Sequence, residues 1–210
     1  MDKVLSDAET FGIFPVPIYS TTLKQLDYDE VMRVVDATGG WKENEGKNFI
    51  SSDKSILHHW HLKDLLVEAT AHLDNFLHEV MRIDTKFQVT QSWVNTNPHG
   101  TRHMEHTHRN SIWNCVMFLC DHSTPMTFRD PNPWKDMYDF SHETIDSNWA
   151  NSNLSHILPE FGKFVIFPHY LHHSVGVNNT NEDRVSLAFN TWFKEPFGSK
   201  EKLTLTGVVQ

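Results

Sequence analysis

The sequence predicts a mainly β domain of sandwich or barrel type, with helices confined to its N-terminal end. Three observations carry this reading. After Asp84 no long helical period occurs, and short runs rich in Val, Ile, Phe, Trp and Thr alternate with turn residues. Before it, Leu62, Leu65, Leu66, Ala69, Leu73, Phe76, Leu77, Val80 and Met81 recur at the three-and-four spacing of an amphipathic helix. A length of 210 residues is enough for one domain with a full core.

Taken in order, Phe14-Pro15-Val16-Pro17-Ile18-Tyr19 is an extended segment, because each proline drives the residue before it out of the helical region. A helix over 29–37 follows, ended by Gly39-Gly40, and the amphipathic stripe gives a second over 62–81. Strands are predicted over 87–96, 102–108, 111–120, 126–129, 162–167, 172–177 and 184–193. The polar and aromatic stretch 130–153 has no period and reads as a long loop over one end of the barrel. Trp134, Tyr138 and Trp149 within it are candidates for substrate contact. The organisation expected is a single domain, 1–210, with a helical flank over 1–85 and a β core over 86–210.

Acidic residues outnumber basic ones by 27 to 18, a formal charge of −9, which argues against nucleic acid as a main ligand. No stretch is long and apolar enough for a membrane span, and the first residues lack the apolar segment of a secretory signal. Cys115 and Cys120 sit in one apolar run, too far apart along a strand for a disulfide. They read as free thiols in a reducing cytoplasm.

Histidine is the unusual residue: of 15, four fall between His99 and His108 and three between His169 and His173. In a strand, residues two apart share a face, so His106 and His108 point together while His103 and Glu105 point the other way. Either pair could hold a divalent metal. His173, at the start of a distant strand, supplies a third ligand, and such a set suits a facial triad with open positions. The favoured set is His106, His108 and His173; the rival register is His103 and Glu105 with His173. Downstream, Arg184, Ser186, Ala188 and Asn190 share one face of a strand whose other face is Val185, Leu187 and Phe189. An arginine on an inward stripe calls for an anion, and its planar fork suits a carboxylate. The buried amides Asn95 and Asn190 are candidate lining residues of the same anion pocket. The other histidines, His58, His59, His61, His72, His78, His122, His142 and His156, are read as core or surface residues.

The order Trp93-Val94-Asn95, Gly100, His106-Thr107-His108, Phe128-Arg129-Asp130-Pro131, Phe167-Pro168, His173-Ser174-Val175 and Arg184-Val185-Ser186-Leu187-Ala188-Phe189-Asn190 resembles a known family. It is that of the small 2-oxoglutarate/Fe(II)-dependent oxygenases of marine bacteria and of tailed phages of cyanobacteria, related in fold to prolyl 4-hydroxylases. The resemblance implies a double-stranded β-helix, a cupin-like jelly roll, with N-terminal helices packed on one sheet. It further implies Fe(II) as cofactor and 2-oxoglutarate as cosubstrate, the far carboxylate held by Arg184 and Ser186. The reaction implied is hydroxylation of a small-molecule or protein substrate with O2, converting 2-oxoglutarate to succinate and CO2, in the cytoplasm (the host's for a phage protein). One departure stands out. The wider superfamily uses His-x-Asp or His-x-Glu where this chain has His106-Thr107-His108, which keeps two alternatives open: a three-histidine oxygenase without 2-oxoglutarate, and a cupin-like metal-binding module without redox turnover.

Overall fold

The computed structural model describes residue 9 and residues 11–132 and 144–206. Eleven strands are described, in two antiparallel sheets. In chain order they are β1 (Tyr19–Thr22), β2 (Trp41–Glu43), β3 (Phe49–Ser51), β4 (Phe87–Asn97), β5 (His103–His106), β6 (Trp113–Phe118), β7 (Met126–Arg129), β8 (Leu154–Ile157), β9 (Lys163–Pro168), β10 (His173–Val175) and β11 (Arg184–Phe193). The larger sheet has the order β1-β9-β6-β11-β4-β3-β2 and the smaller the order β5-β10-β7-β8. Facing sheets with these crossed connections make the double-stranded β-helix.

The helix α1 (Tyr28–Ala37) starts where the Asp27 side chain accepts from the Glu30 amide at 3.0 Å. It buries Val31, Val34 and Val35, one face at helical spacing. Gly39 and Gly40, at φ 102° and 63°, then take the left-handed turn that a side chain would resist. The second stripe folds as a 3-10 turn (Trp60–Leu62), the helix α2 (Lys63–Asn75) and a π turn (Phe76–Val80), so the expected single helix changes pitch at both ends. Its apolar face, with Leu65, Ala69, Leu73, Phe76 and Leu77 all buried, covers the outer face of the larger sheet.

Strict alternation divides the central strands between two cores. In β6, Cys115 and Met117 pack under the helices, while Val116 and Phe118 point between the sheets. In β11, Val185, Leu187 and Phe189 go outward and Ala188 goes inward. Each large side chain so buried stabilises the fold by roughly 1.5–3 kcal/mol. The inward face of β11 also carries Arg184, Ser186 and Asn190, which is how the sheet delivers polar groups to the interior.

The structure adds four strands to those read from the sequence: β1, β2, β3 and β8. Three of them come from the N-terminal part and join the larger sheet. The fourth, β8, pairs with β7 right after the stretch expected to be loop, and its burial pattern of three exposed residues in four hides it from any hydrophobic reading. Within that stretch Trp134 and Tyr138 lie outside the described residues, and Trp149 is largely exposed. Both cysteines are free. Among the described residues no helix is long and apolar enough to cross a membrane.

Candidate metal centre

β10 is the hinge of the site. It pairs with β5 so that His173 opposes His106 and Val175 opposes His103. Two residues, Met104 and Glu105, stand on β5 where Ser174 alone stands on β10: the extra one is a β-bulge. The bulge overturns the alternation expected for this strand. His103 and His106, three apart, now share the inward face, and their rings stack at 4.6 Å and 11°. Glu105 turns outward instead, where it meets Arg129 Nε at 3.0 Å and His172 Nδ1 at 3.7 Å. The rival pair of His103 and Glu105 is thus split between two faces.

His108 lies just beyond β5, its backbone amide bonded to the His169 carbonyl at 3.3 Å. The chain there leaves the sheet and curls His108 back over the strand end. Ring centroids of His106, His108 and His173 lie 4.3, 5.0 and 5.1 Å apart in pairs. One nitrogen from each falls within 4.8 Å of the other two, a spacing that can hold a metal ion.

The tautomers follow from the partners. His106 Nδ1 lies 2.8 Å from the Met104 carbonyl, His173 Nδ1 3.1 Å from the Leu171 carbonyl and His108 Nδ1 2.6 Å from Asn190 Oδ1. A carbonyl oxygen only accepts, so each Nδ1 carries the hydrogen and each Nε2 presents a lone pair. Nε2 of His106 and of His108 approach to 3.1 Å. Lone pairs brought together in this way need a cation between them, and anchoring the far nitrogen is how proteins orient imidazole ligands. Burial holds all three rings below the ordinary imidazole range, His108 to about 4. The site is therefore neutral and ready for a metal at neutral pH.

Deeper in the same pocket is Arg184, 2% exposed. Its Nε donates to the Thr124 carbonyl at 3.1 Å, and the guanidinium lies 5.3 Å over the Phe118 ring. Nη2 is buried and has no hydrogen-bond partner. No carboxylate among the described residues pairs with Arg184. Burial alone lowers it to about 10, so it stays charged. A buried, charged, half-unsatisfied guanidinium is an anion site in waiting. Asn95, its Oδ1 also unpartnered, and Ser186 line the pocket beside it.

Asn190, expected against the anion, is instead bonded to His108. The inward stripe on β11 gave its face; that its partner would be an imidazole needed the His108 curl, which no local pattern announces. Trp93, given no role from the sequence, stacks on His108 at 5.5 Å, and Thr124, also unassigned, offers its carbonyl to Arg184.

Residues 91–190, just under half of the chain and the part that carries this pocket, match the model of the family described as "Putative 2OG-Fe(II) oxygenase". Among solved structures, the alpha-ketoglutarate-dependent epimerase SnoN of nogalamycin biosynthesis superposes with a TM-score of 0.58 at 13% identity, covering 84% of this chain and 78% of its own. HygX from Streptomyces hygroscopicus, with nickel and 2-oxoglutarate bound, gives 0.55 at 10%, covering 84% and 82%. A Pseudomonas putida prolyl-4-hydroxylase gives 0.52 at 16%, covering 86% and 94%. No curated protein matches the sequence. The fold is the double-stranded β-helix that these solved structures share, and the segment holding the histidines lies within the matched residues 91–190.

Proposed function

We propose that this chain is an Fe(II)- and 2-oxoglutarate-dependent dioxygenase that hydroxylates its substrate. The observation that carries the proposal is the pairing, in one pocket, of three convergent Nε2 lone pairs with a buried guanidinium that has no counter-ion among the described residues. A metal alone satisfies only the first half. A cosubstrate with a metal-binding head and a distant carboxylate satisfies both, and the family match supports 2-oxoglutarate.

The residues present fit both groups. His106, His108 and His173 would hold the ion through Nε2, and Arg184 with Ser186 would take the far carboxylate. Bound together, iron and 2-oxoglutarate supply oxidative decarboxylation by O2, yielding succinate and CO2 and one oxygen atom for a C–H bond. The protein's own share is positioning and exclusion of water. Asn190 fixes the His108 ring, the Met104 and Leu171 carbonyls fix the other two, and Trp93, Val116, Met126, Val175 and Ala188 wall the pocket with apolar surface. No carboxylate among the described residues lines it, so a dianionic cosubstrate meets the full charge of the metal and of Arg184. We place the activity in a single domain in the cytoplasm, acting on a small molecule or a protein side chain.

The test is succinate formation from 2-oxoglutarate under air. Dependence on Fe(II) and loss in Arg184→Ala are expected. Metal binding without decarboxylation would make the chain a non-redox module, and oxygen uptake undiminished without 2-oxoglutarate would make it a three-histidine oxygenase of another kind.

A further inference from the structure

We propose that His103 is a cosubstrate-binding residue, donating a hydrogen bond to an oxygen of the 2-oxo acid along its path from the metal to Arg184. The inference rests on the reading just given. His103 faces the pocket only because of the β5 bulge, and it lies parallel to His106 rather than converging with the three ligand nitrogens. The other three imidazoles of the pocket are each anchored through Nδ1; neither ring nitrogen of His103 meets a partner among the described residues. Its ring lines the pocket together with Arg184, Asn95 and Ser186. A neutral imidazole carries one N–H in either tautomer. The pocket thus holds a spare donor against the ion site, on the lining it shares with the guanidinium. A 2-oxo diacid, whose oxygens are all acceptors, is the ligand that would reach from the ion site to the guanidinium past that donor.

The experiment is calorimetric titration of 2-oxoglutarate into nickel-loaded protein, for the wild type, His103→Leu and His103→Gln. Nickel keeps the cosubstrate from turning over, and nickel affinity reports whether each variant retains the folded site. With nickel affinity unchanged, His103→Leu should bind 2-oxoglutarate about tenfold more weakly, the worth of one hydrogen bond to a charged oxygen. His103→Gln, which keeps a donor, should recover most of the loss. Wild-type 2-oxoglutarate affinity in both variants would remove the role from His103. Loss of nickel in His103→Leu would also overturn it, by making the ring a ligand. A wild-type nickel protein that fails to take up 2-oxoglutarate would sink the cosubstrate reading itself, and this inference with it.

Discussion

His106 and His173 are register partners across an antiparallel strand pair, with ring centroids 4.3 Å apart. Side chains opposed in that way are held together by the sheet's own ladder, so two of the three candidate ligands are fixed by backbone hydrogen bonds rather than by loops. Such preorganisation means that removing either ring should empty the site without unfolding the barrel. His106→Ala and His173→Ala are expected to weaken Fe(II) or nickel binding by roughly a hundredfold or more, measured by metal titration. Glu105→Ala, whose carboxylate faces Arg129 on the far side, should bind metal as the wild type does.

Asn190 acts on the metal through His108. Asn190→Leu removes the acceptor on Nδ1 and frees the ring to turn, which should cost roughly 10- to 100-fold in metal affinity. Asn190→Asp keeps an acceptor oxygen and should retain most of it. Equal binding by the Leu variant would show that the 2.6 Å contact does not orient the ligand.

Arg184 is costly in the empty protein, because its Nη2 has no partner in a buried site. Arg184→Met fills similar volume without that charge. It should leave the apo protein as stable as the wild type or more so in urea unfolding, while abolishing 2-oxoglutarate binding. A loss of more than about 2 kcal/mol would mean that the guanidinium is structurally satisfied after all. Arg184→Lys should also bind 2-oxoglutarate markedly less well, since an ammonium cannot reproduce the planar fork.

Acid should destabilise the metal-free protein. His103, His108 and His173 are held below their ordinary 6.5 by burial, His103 to about 3 and His108 to about 4. In the unfolded chain they take up protons from about pH 6.5 downward. The stability of the neutral pocket is therefore fully present above that pH and is lost progressively as pH falls toward the folded values. Urea midpoints at pH 7.5, 5.5 and 4.5 should fall in that order, and His103→Leu should flatten the slope. A midpoint flat from 7.5 to 4.5 would contradict the burial of these rings.

How legible the chain was depended on local regularity. β11 could be read residue by residue because it is a central strand with an unbroken alternation, and its bounds are those expected from the sequence. α1 was legible from its valines and the glycines that end it. β5 was not: a bulge adds one residue, and two residues past the strand the chain curls inward at His108. Alternation therefore gave the right pairing of His106 with His108 for the wrong reason, and it turned His103 outward. The edge strands β2 and β8, and β3 beside β2, are short or exposed, so neither length nor apolar pattern marks them. The empty partner position on Arg184 was foreseeable from chemistry, since an inward arginine requires an anion, but the Asn190 contact depends on a long-range fold.

The most direct test of the whole account is a crystal of the protein grown with nickel and 2-oxoglutarate. One ion is expected, bound by Nε2 of His106, His108 and His173 and chelated by the 2-oxo acid, with the far carboxylate on Arg184. An ion seated on Glu105, or a cosubstrate carboxylate that leaves Arg184 unpaired, would contradict it.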